Sequence, residues 1–245
     1  MKAWGITDIG LVRKENQDAF LIREDMPSRH TVCVVCDGMG GAAGGRLASQ
    51  IAVESFTAEL EHILTRDMTP EQLREASSYA VSQANEAIRE AARKNEEYRS
   101  MGTTLVAAVS YDGGAVITNV GDSRAYHITK TSITRVTKDH SLVERMVDRG
   151  DITAEEARRH PNRNLITRAL GPDPEAACDG YITPLKTGEY LLLCTDGLID
   201  TVSDQEMLFE IIHGDGQDTC LQRLLEIAKA HGAPDKVTAV LMQQE

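Results

Sequence analysis

The chain has 245 residues, with 26 Lys and Arg against 38 Asp and Glu and a formal net charge of -12. That length fits one large domain or two small ones, and folding can bury enough apolar surface that no disulfide or structural metal is needed for stability. Because an acidic surface repels phosphate backbones and anionic lipids, we expect neither a nucleic acid nor a membrane as a partner.

The first hundred residues predict three strands followed by two long helices. Short apolar runs predict strands at 2–7, 19–23 and 31–36. Apolar residues then recur at the spacing of one helix face, first around Phe56 and Leu60 and again from 73 to 91. Thr69 and Pro70 give the second helix a capping residue and a proline at its first position.

A block of strands and a mixed C-terminal part follow. Strands are predicted at 103–110, 115–119, 124–129 and 132–137, and Asp112-Gly113 is typical of a hairpin turn between the first two. The polar stretch 138–170, with short helical patterns at 141–148 and 154–159, is predicted to be a surface excursion. The remaining elements are a strand at 190–194, helices near 204–212 and 218–230, and a strand at 237–242. Because strands and helices come in blocks, the order favours an α+β fold of antiparallel sheets with helices packed outside.

The cysteines and the N-terminus bear on the compartment. Five cysteines lie in apolar contexts and no apolar stretch follows a basic start, so we expect no signal peptide and a reducing, cytoplasmic location. Cys33 and Cys36 form a CxxC pair, typical either of a redox or zinc motif or of a buried strand. Residues three apart on a strand point to opposite faces, and no second Cys or His pair follows at zinc spacing. We therefore favour the buried strand.

Aspartates recur at the ends of predicted strands; they are Asp18, Asp37, Asp122, Asp196 and Asp235. A carboxylate at the end of a buried strand is costly unless it is paired or binds a cation, and no matching number of Lys or Arg lies beside these. Gly38 and Gly197, each directly after one of them, let water or a metal approach the backbone. One Asp-Gly pair is usually only a turn signal. Several carboxylates together favour Mg²⁺ or Mn²⁺ over zinc.

Eight segments, five of which contain one of these aspartates, are distributed in order over nearly the whole length of the chain. They are GLVRKENQDAF, VVCDGMGG, MGTTLVAAV, NVGDSRAY, TKDHSLVERMVDRGDIT, HPNRNLITRALG, LLLCTDGL and PDKVTAV. In this order they resemble the motifs of bacterial Mg²⁺/Mn²⁺-dependent 2C-type protein phosphatases, the PPM family. One such segment would mean little, because short motifs recur by chance, but eight in family order are specific.

The resemblance implies a fold and an activity. The fold would be one domain over residues 1–245, an α+β four-layer αββα sandwich with two central antiparallel sheets flanked by helices and a flap at about 138–170 beside the active site. The activity would be hydrolysis of phosphoserine and phosphothreonine in proteins by a water or hydroxide that bridges two metal ions. The resemblance also implies two to three Mn²⁺ or Mg²⁺ ions, phosphorylated protein substrates, a cognate Ser/Thr kinase in bacterial signal transduction, and a monomer.

The metal ligands carry over position by position. Asp37 resembles the carboxylate that bridges two metal ions, and Gly38 resembles the residue that offers its carbonyl to one of them. Asp196 and Asp235 would complete the second metal site. Asp122, with Asp196, would form a third.

Three further residues beside these motifs have expected roles. Asp18 would act near the metal pair through water. Arg13 resembles the guanidinium that grips the substrate phosphate, a task for which a bidentate fork suits better than a lysine, so Arg13 and Asp37 are the expected catalytic residues. Lys236 stands where the family usually has Asn, and it would either weaken the metal beside Asp235 or point to solvent.

Two other functions remain open at this point. One is a catalytically weak pseudophosphatase that binds phosphoproteins; loss of a metal aspartate would favour it, and none is lost. The other is a phosphatase for small phosphoesters, against which the flap argues weakly. The charged residues of the flap, which include Arg145 and Arg163, suit contact with a phosphoprotein.

Overall fold

The structure, a computed structural model, describes residues 1–214 and 216–245, with all their side chains except those at positions 42 and 43. The strands are β1 (Lys2–Asp8), β2 (Asp18–Arg23), β3 (Val32–Met39), β4 (Gly102–Thr103), β5 (Leu105–Tyr111), β6 (Gly114–Val120), β7 (Arg124–Ile128), β8 (Ile133–Arg135), β9 (Asp179–Pro184), β10 (Tyr190–Cys194) and β11 (Val237–Gln243). The helices are α1 (Ala42–Ile63), α2 (Pro70–Lys94), α3 (Leu142–Arg149), α4 (Ala154–Arg159), α5 (Asp196–Ile199), α6 (Asp204–His213) and α7 (Gln217–Ala230).

The strands form two antiparallel sheets. One has the order β1-β11-β10-β7-β8, and the other has the order β2-β3-β5-β6-β9 with the short β4 paired to β3. Helices α1 and α2 pack on the second sheet, and α6 and α7 pack on the first. A third apolar cluster, with residues from both sheets, lies between them. The predicted α+β fold of two antiparallel sheets flanked by helices is confirmed.

Local sequence explains the longest helix. Thr69 accepts a hydrogen bond from the Gln72 backbone while the Gln72 side chain bonds back to Thr69, a capping box that satisfies donors at the helix start. Its apolar face, including Leu73 and Ile88, is fully buried against the sheet. This face carries α2 across the outside of the sandwich, as its periodicity predicts.

The CxxC pair lies within a buried strand, as favoured from the sequence. Cys33 and Cys36 are both on β3 and both fully buried, and both are free thiols. Cys33 packs in the cluster between the sheets, whereas Cys36 packs on the helix side. Their opposite directions leave no paired site for a metal or a disulfide.

Several element predictions were incomplete. Strand β9 was not predicted. It is a half-exposed edge strand whose one partner among the described strands is β6, and it contains Gly180 and Pro184, residues depleted in strands. Asp196 opens the short helix α5 instead of ending a strand. Asp235 lies two residues before β11, which begins at Val237 as the sequence predicts.

The excursion at 138–170 is closed at its base. The backbone amide of Thr167 donates to the carbonyl of His140, and the amide of Leu142 donates to the carbonyl of Leu165. The His140 amide also donates to the carbonyl of Gly121, next to Asp122. These contacts hold the two ends of the excursion side by side, with α3 and α4 beyond them.

Within residues 1–214 and 216–245, none of the helices combines the length and the apolar character that crossing a bilayer requires.

Candidate functional site

The strand-end aspartates meet at one edge of the sandwich. Asp37, Asp122, Asp196 and Asp235 line a single cavity of about 470 Å³, together with Gly38. The wall of this cavity also includes Arg13, Lys236, Thr104, Asn164 and Ile166, the last two from the excursion. The structure thus brings the sequence-predicted residues together, with one difference in depth: Asp18 lies behind the cavity wall.

Strand pairing produces this convergence. Asp18 and Asp37 are direct partners across the antiparallel pair β2–β3. The amide of Thr195 donates to the carbonyl of Thr238, which brings the end of β10, and hence Asp196, beside the start of β11. Two carboxylates directly opposite each other on neighbouring strands repel, so the arrangement costs stability unless a cation offsets it.

Asp18 is fixed by two threonines. Its Oδ2 atom accepts hydrogen bonds from the hydroxyls of Thr195 at 3.0 Å and Thr238 at 2.7 Å. Its Oδ1 atom is buried and accepts no hydrogen bond from any residue that the structure describes. Burial raises the pKa of Asp18 to about 6, although the charge of Lys236 and the two hydroxyls act in the opposite direction.

Asp37 lies at the centre of the cluster. Its backbone is held by Thr104, whose hydroxyl accepts from the Asp37 amide at 2.9 Å and whose own amide donates to the Asp37 carbonyl. Burial, reinforced by the negative charge of Asp18, raises the pKa of Asp37 to about 8. A carboxylate held in this way is a strong candidate for binding a cation, because a cation removes the penalty on its charged form.

Asp122 and Asp196 share that environment. Burial raises the pKa of each well above its ordinary value, and their mutual repulsion adds to the effect for Asp122, as the charge of Asp37 does for Asp196. The Oδ1 atom of Asp196 is buried without a hydrogen-bond donor in the described part of the chain. Asp196 therefore has unused acceptor capacity at the cavity.

Asp235 differs, because two positively charged side chains, Arg13 and Lys236, contact it. Burial opposes its charge, but hydrogen bonds from Arg13 and Lys236 hold its pKa below the ordinary value. Arg13 donates from Nη2 to Oδ2 of Asp235, and its side chain remains about half exposed at 52%. Arg13 therefore stands at the rim of the cavity with part of its guanidinium open to solvent.

Lys236 does not point to solvent; it points into the cluster. Its Nζ atom lies 3.0 Å from Oδ1 of Asp37 and 3.0 Å from Oδ1 of Asp235. Oδ1 of Asp18 is 3.7 Å away. Of the two orientations left open by the sequence, the structure therefore has the one in which the lysine faces the carboxylates.

The oxygen atoms around the cavity are of the chemical type that binds hard divalent cations. They are carboxylate oxygens, two of them buried without a hydrogen bond, beside the backbone of Gly38 at the cavity wall. As the side chains stand, no three acidic, histidine or cysteine side chains among the described residues are grouped as a ready metal site. The point on which Asp18, Asp37 and Asp235 converge is instead taken by the ammonium of Lys236.

Some contributors were not predicted from the sequence. Thr195 and Thr238 orient Asp18, and Thr104 supports Asp37 while its hydroxyl contacts that of Ser123 at 2.7 Å. The available signal was position: Thr104 follows the short strand β4, and Thr195 directly precedes Asp196. Position does not name the partner, however: the Thr195 hydroxyl donates to Asp18 and not to its neighbour Asp196, and the Thr104 hydroxyl accepts from the Asp37 amide.

Comparison with known proteins agrees with this geometry. The sequence model of the family described as Protein phosphatase 2C matches residues 12–241. The chain is 33% identical over 242 residues to the serine/threonine phosphatase stp of Listeria monocytogenes, covering 98% of this chain and 94% of that protein. It is 36% identical over 236 residues to the serine/threonine protein phosphatase PstP of Mycobacterium tuberculosis, covering 96% of this chain and 43% of that longer protein.

Solved structures give the same result. The crystal structure of the serine/threonine phosphatase Stp1 from Staphylococcus aureus superposes with a TM-score of 0.93 at 35% identity, covering 100% of this chain and 95% of that one. A family match over almost the whole chain, relatives above 30% identity and a shared fold agree with one another. The chain therefore belongs to the protein phosphatase 2C family.

Proposed function

We propose that this protein hydrolyses phosphoserine and phosphothreonine in other proteins with the help of divalent cations. The observation that carries the proposal is the convergence of Asp37, Asp122, Asp196 and Asp235 on one open cavity with an arginine at its rim. The relatives named as serine/threonine phosphatases support it. Because all the expected aspartates are present, nothing favours the pseudophosphatase alternative.

The carboxylates would hold the cations. Asp37, with the carbonyl of Gly38, would be the central ligand, Asp196 and Asp235 would complete the second position, and Asp122 would contribute to a third. Divalent cations bound there would activate water as a nucleophile at neutral pH and offset the acidic charge for an incoming phosphate. We propose two to three Mn²⁺ or Mg²⁺ ions in this role.

Asp18 would act on the metal ions indirectly, from behind the cavity wall. Because its Oδ2 atom is committed to Thr195 and Thr238, only Oδ1 is available, and the side chain does not reach the cavity wall. This geometry supports a contact through water instead of direct ligation. The two hydroxyls would fix the direction in which that free oxygen points.

Arg13 would bind the substrate phosphate. A guanidinium has five N–H donors in a rigid fork, so it can keep its contact with Asp235 and still donate to phosphate oxygens from its exposed edge. The contact with Asp235 also places it against the carboxylates that would hold the cations. Arg13 would therefore align the phosphate with the centre at which water is activated.

Arg13→Ala is expected to lower kcat/KM for a phosphopeptide about 10- to 100-fold, since charge-assisted hydrogen bonds contribute about 1.5–3 kcal/mol. Arg13→Lys should recover only part of this loss, because an ammonium cannot grip two phosphate oxygens in a plane. Steady-state kinetics measure the effect, and Arg23→Ala, at the exposed far end of β2, is the matched control. Equal kcat/KM values for the Arg13 and Arg23 variants would show that Arg13 does not bind the substrate phosphate.

The family membership also supports proposals on domain extent, oligomeric state, location and partner. We propose that residues 1–245 act as one phosphatase domain and as a monomer, in the cytoplasm, opposing a Ser/Thr kinase in signal transduction. The excursion at 138–170 would act as a flap, since Asn164 and Ile166 from it line the cavity. Its closed base at His140 and Thr167 would let the outer part contact a phosphoprotein without moving the aspartates.

Phosphate release from a phosphothreonine peptide tests the function directly. We expect release with Mn²⁺ or Mg²⁺, none in EDTA, and recovery when the metal is restored in excess. Comparison with p-nitrophenyl phosphate separates a protein phosphatase from an enzyme for small esters. Binding of the phosphopeptide without any metal-dependent release would show a binding module instead of an enzyme.

A further inference from the structure

Lys236 occupies the centre of the carboxylate cluster, a position that the phosphatase activity does not by itself explain. Its ammonium has three N–H donors and no acceptor, and three carboxylate oxygens face it. Those of Asp37 and Asp235 are at 3.0 Å and that of Asp18 is at 3.7 Å. The lysine therefore contacts two of the expected direct ligands and the expected outer partner together.

The backbone at this position is tightly fixed. The amide of Lys236 donates to Oδ1 of Asp235 at 2.8 Å. On its other side, a Cβ atom at Gly197 would meet the carbonyl oxygen of Lys236 at 1.9 Å, so the α5 turn lies directly against it. Only the side chain is then free to change position, and because Lys236 lines the cavity, it can turn toward open space.

The burial of this lysine needs an electrostatic reason. Lys236 is 5% exposed, and lysines are almost never this buried unless paired. Here the pairing is reciprocal, because Asp18 and Asp37 are opposite each other on neighbouring strands, and Lys236 is the only residue in the described part of the chain that forms an ion pair with either of them. The ammonium offsets their repulsion.

We propose that Lys236 is a tethered counter-cation that competes with a divalent ion for Asp37 and Asp235. The inference rests on the proposed function, since it assigns a regulator to the same site. A divalent ion bound to these oxygens would lie within a few ångströms of the ammonium, and like charges that close repel strongly in a partly buried site. Metal binding therefore requires the lysine side chain to leave, and this requirement lowers the affinity of the site for the metal. In the metal-free protein the same lysine stabilises the fold.

Two variants test this competition. Lys236→Met keeps the length of the side chain without the charge, and Lys236→Asn removes both. In each, Mn²⁺ binding measured by calorimetry without substrate is expected to tighten at least about tenfold, because the repelling charge is gone. In EDTA, each is expected to melt at least about 5 °C below the native protein, because buried carboxylates lose their partner.

Lys229→Met is the matched control, since Lys229 pairs with Asp8 at 2.7 Å outside the cavity. It should leave the Kd for Mn²⁺ unchanged. A Kd in both Lys236 variants equal to or weaker than that of the native protein would overturn the proposal, and so would melting in EDTA unchanged from native. A variant that folds only with Mn²⁺ supports it.

A third variant covers the case in which neither neutral variant folds. Lys236→Arg keeps the positive charge and is expected to retain native Mn²⁺ affinity within a few-fold; binding tightened tenfold or more would overturn the proposal. These measurements use no phosphopeptide, so equal Kd values refute only the competition. Absent phosphate release with normal Mn²⁺ binding would refute only the proposed function.

Discussion

Asp37→Asn is expected to reduce metal-dependent phosphate release at least about 10³-fold, the largest functional effect in this chain. Asp37 is the one carboxylate that both faces the cavity and pairs directly with Asp18 across the strands. An amide has a neutral oxygen, so it cannot offset a divalent charge. The several kcal/mol of charge stabilisation that a metal site contributes correspond to a loss of this size.

The fold itself should survive that substitution. The pKa of Asp37 is raised to about 8, chiefly by burial and by the charge of Asp18, so its charged form is disfavoured in the metal-free protein. Removing the charge relieves the repulsion between Asp37 and Asp18, which offsets the loss of the ion pair between Asp37 and Lys236. Lys236 keeps Asp235 at 3.0 Å, and the backbone hydrogen bonds of Asp37 to Thr104 remain. Loss of activity in a variant that melts like the native protein in EDTA would therefore report the site and not unfolding.

Mn²⁺ should stabilise the native protein and not the variant. An ion present at about 100 times its Kd raises the free energy of unfolding by about 2.7 kcal/mol, so its thermal shift is readily measured. Asp112→Asn, in the exposed β5–β6 turn, is the matched control and should keep both activity and shift. If Asp37→Asn kept native activity, the cation would have to be held elsewhere.

Gly38→Ala is expected to lower the free energy of unfolding by at least about 3 kcal/mol, the largest effect on stability. A Cβ atom at Gly38 would meet the carbonyl oxygen of Gly45 at 2.0 Å and that of Gln17 at 2.6 Å, and neither backbone can turn aside as a side chain would. In reverse, a Cβ at Gly45 would meet the Gly38 backbone at 2.8 Å. The end of β3 and the first turn of α1 therefore touch backbone to backbone, which only glycine permits.

Urea unfolding in EDTA measures this loss without any contribution from metal. Gly188→Ala is the matched control: Gly188 has a φ of +84° but open space around its Cβ direction, so alanine there should cost only about 1–2 kcal/mol. A similar cost at both positions would mean that backbone conformation and not contact sets the requirement for glycine. In that case the carbonyl of Gly38 would not be held in place by α1.

Much of the fold was predictable because it depends on local pattern. The periodicity of α2 and its capping box are contained in adjacent residues, and the block order of strands and helices indicated antiparallel layers. Strand β9 was not predicted, since an edge strand bonded on one side, with Gly180 and Pro184, has weak strand propensity and is stabilised by pairing with β6.

The sequence by itself predicted the carboxylates that line the cavity. Asp37, Asp122 and Asp196 each follow or end an apolar stretch of the sequence, where a buried carboxylate is costly unless a cation offsets it, and this can be seen from the sequence alone. Their motif order also identified the family.

Only the tertiary structure decided which charges meet. The pairing of β2 with β3 sets Asp18 opposite Asp37. Thr195, directly after β10, and Thr238, on β11, lie more than 170 residues further along the chain and orient Asp18. The direction of Lys236 was undetermined from the sequence, because a long side chain follows the strongest field within reach. Three carboxylates gathered by long-range strand pairing create that field, and they draw the ammonium inward.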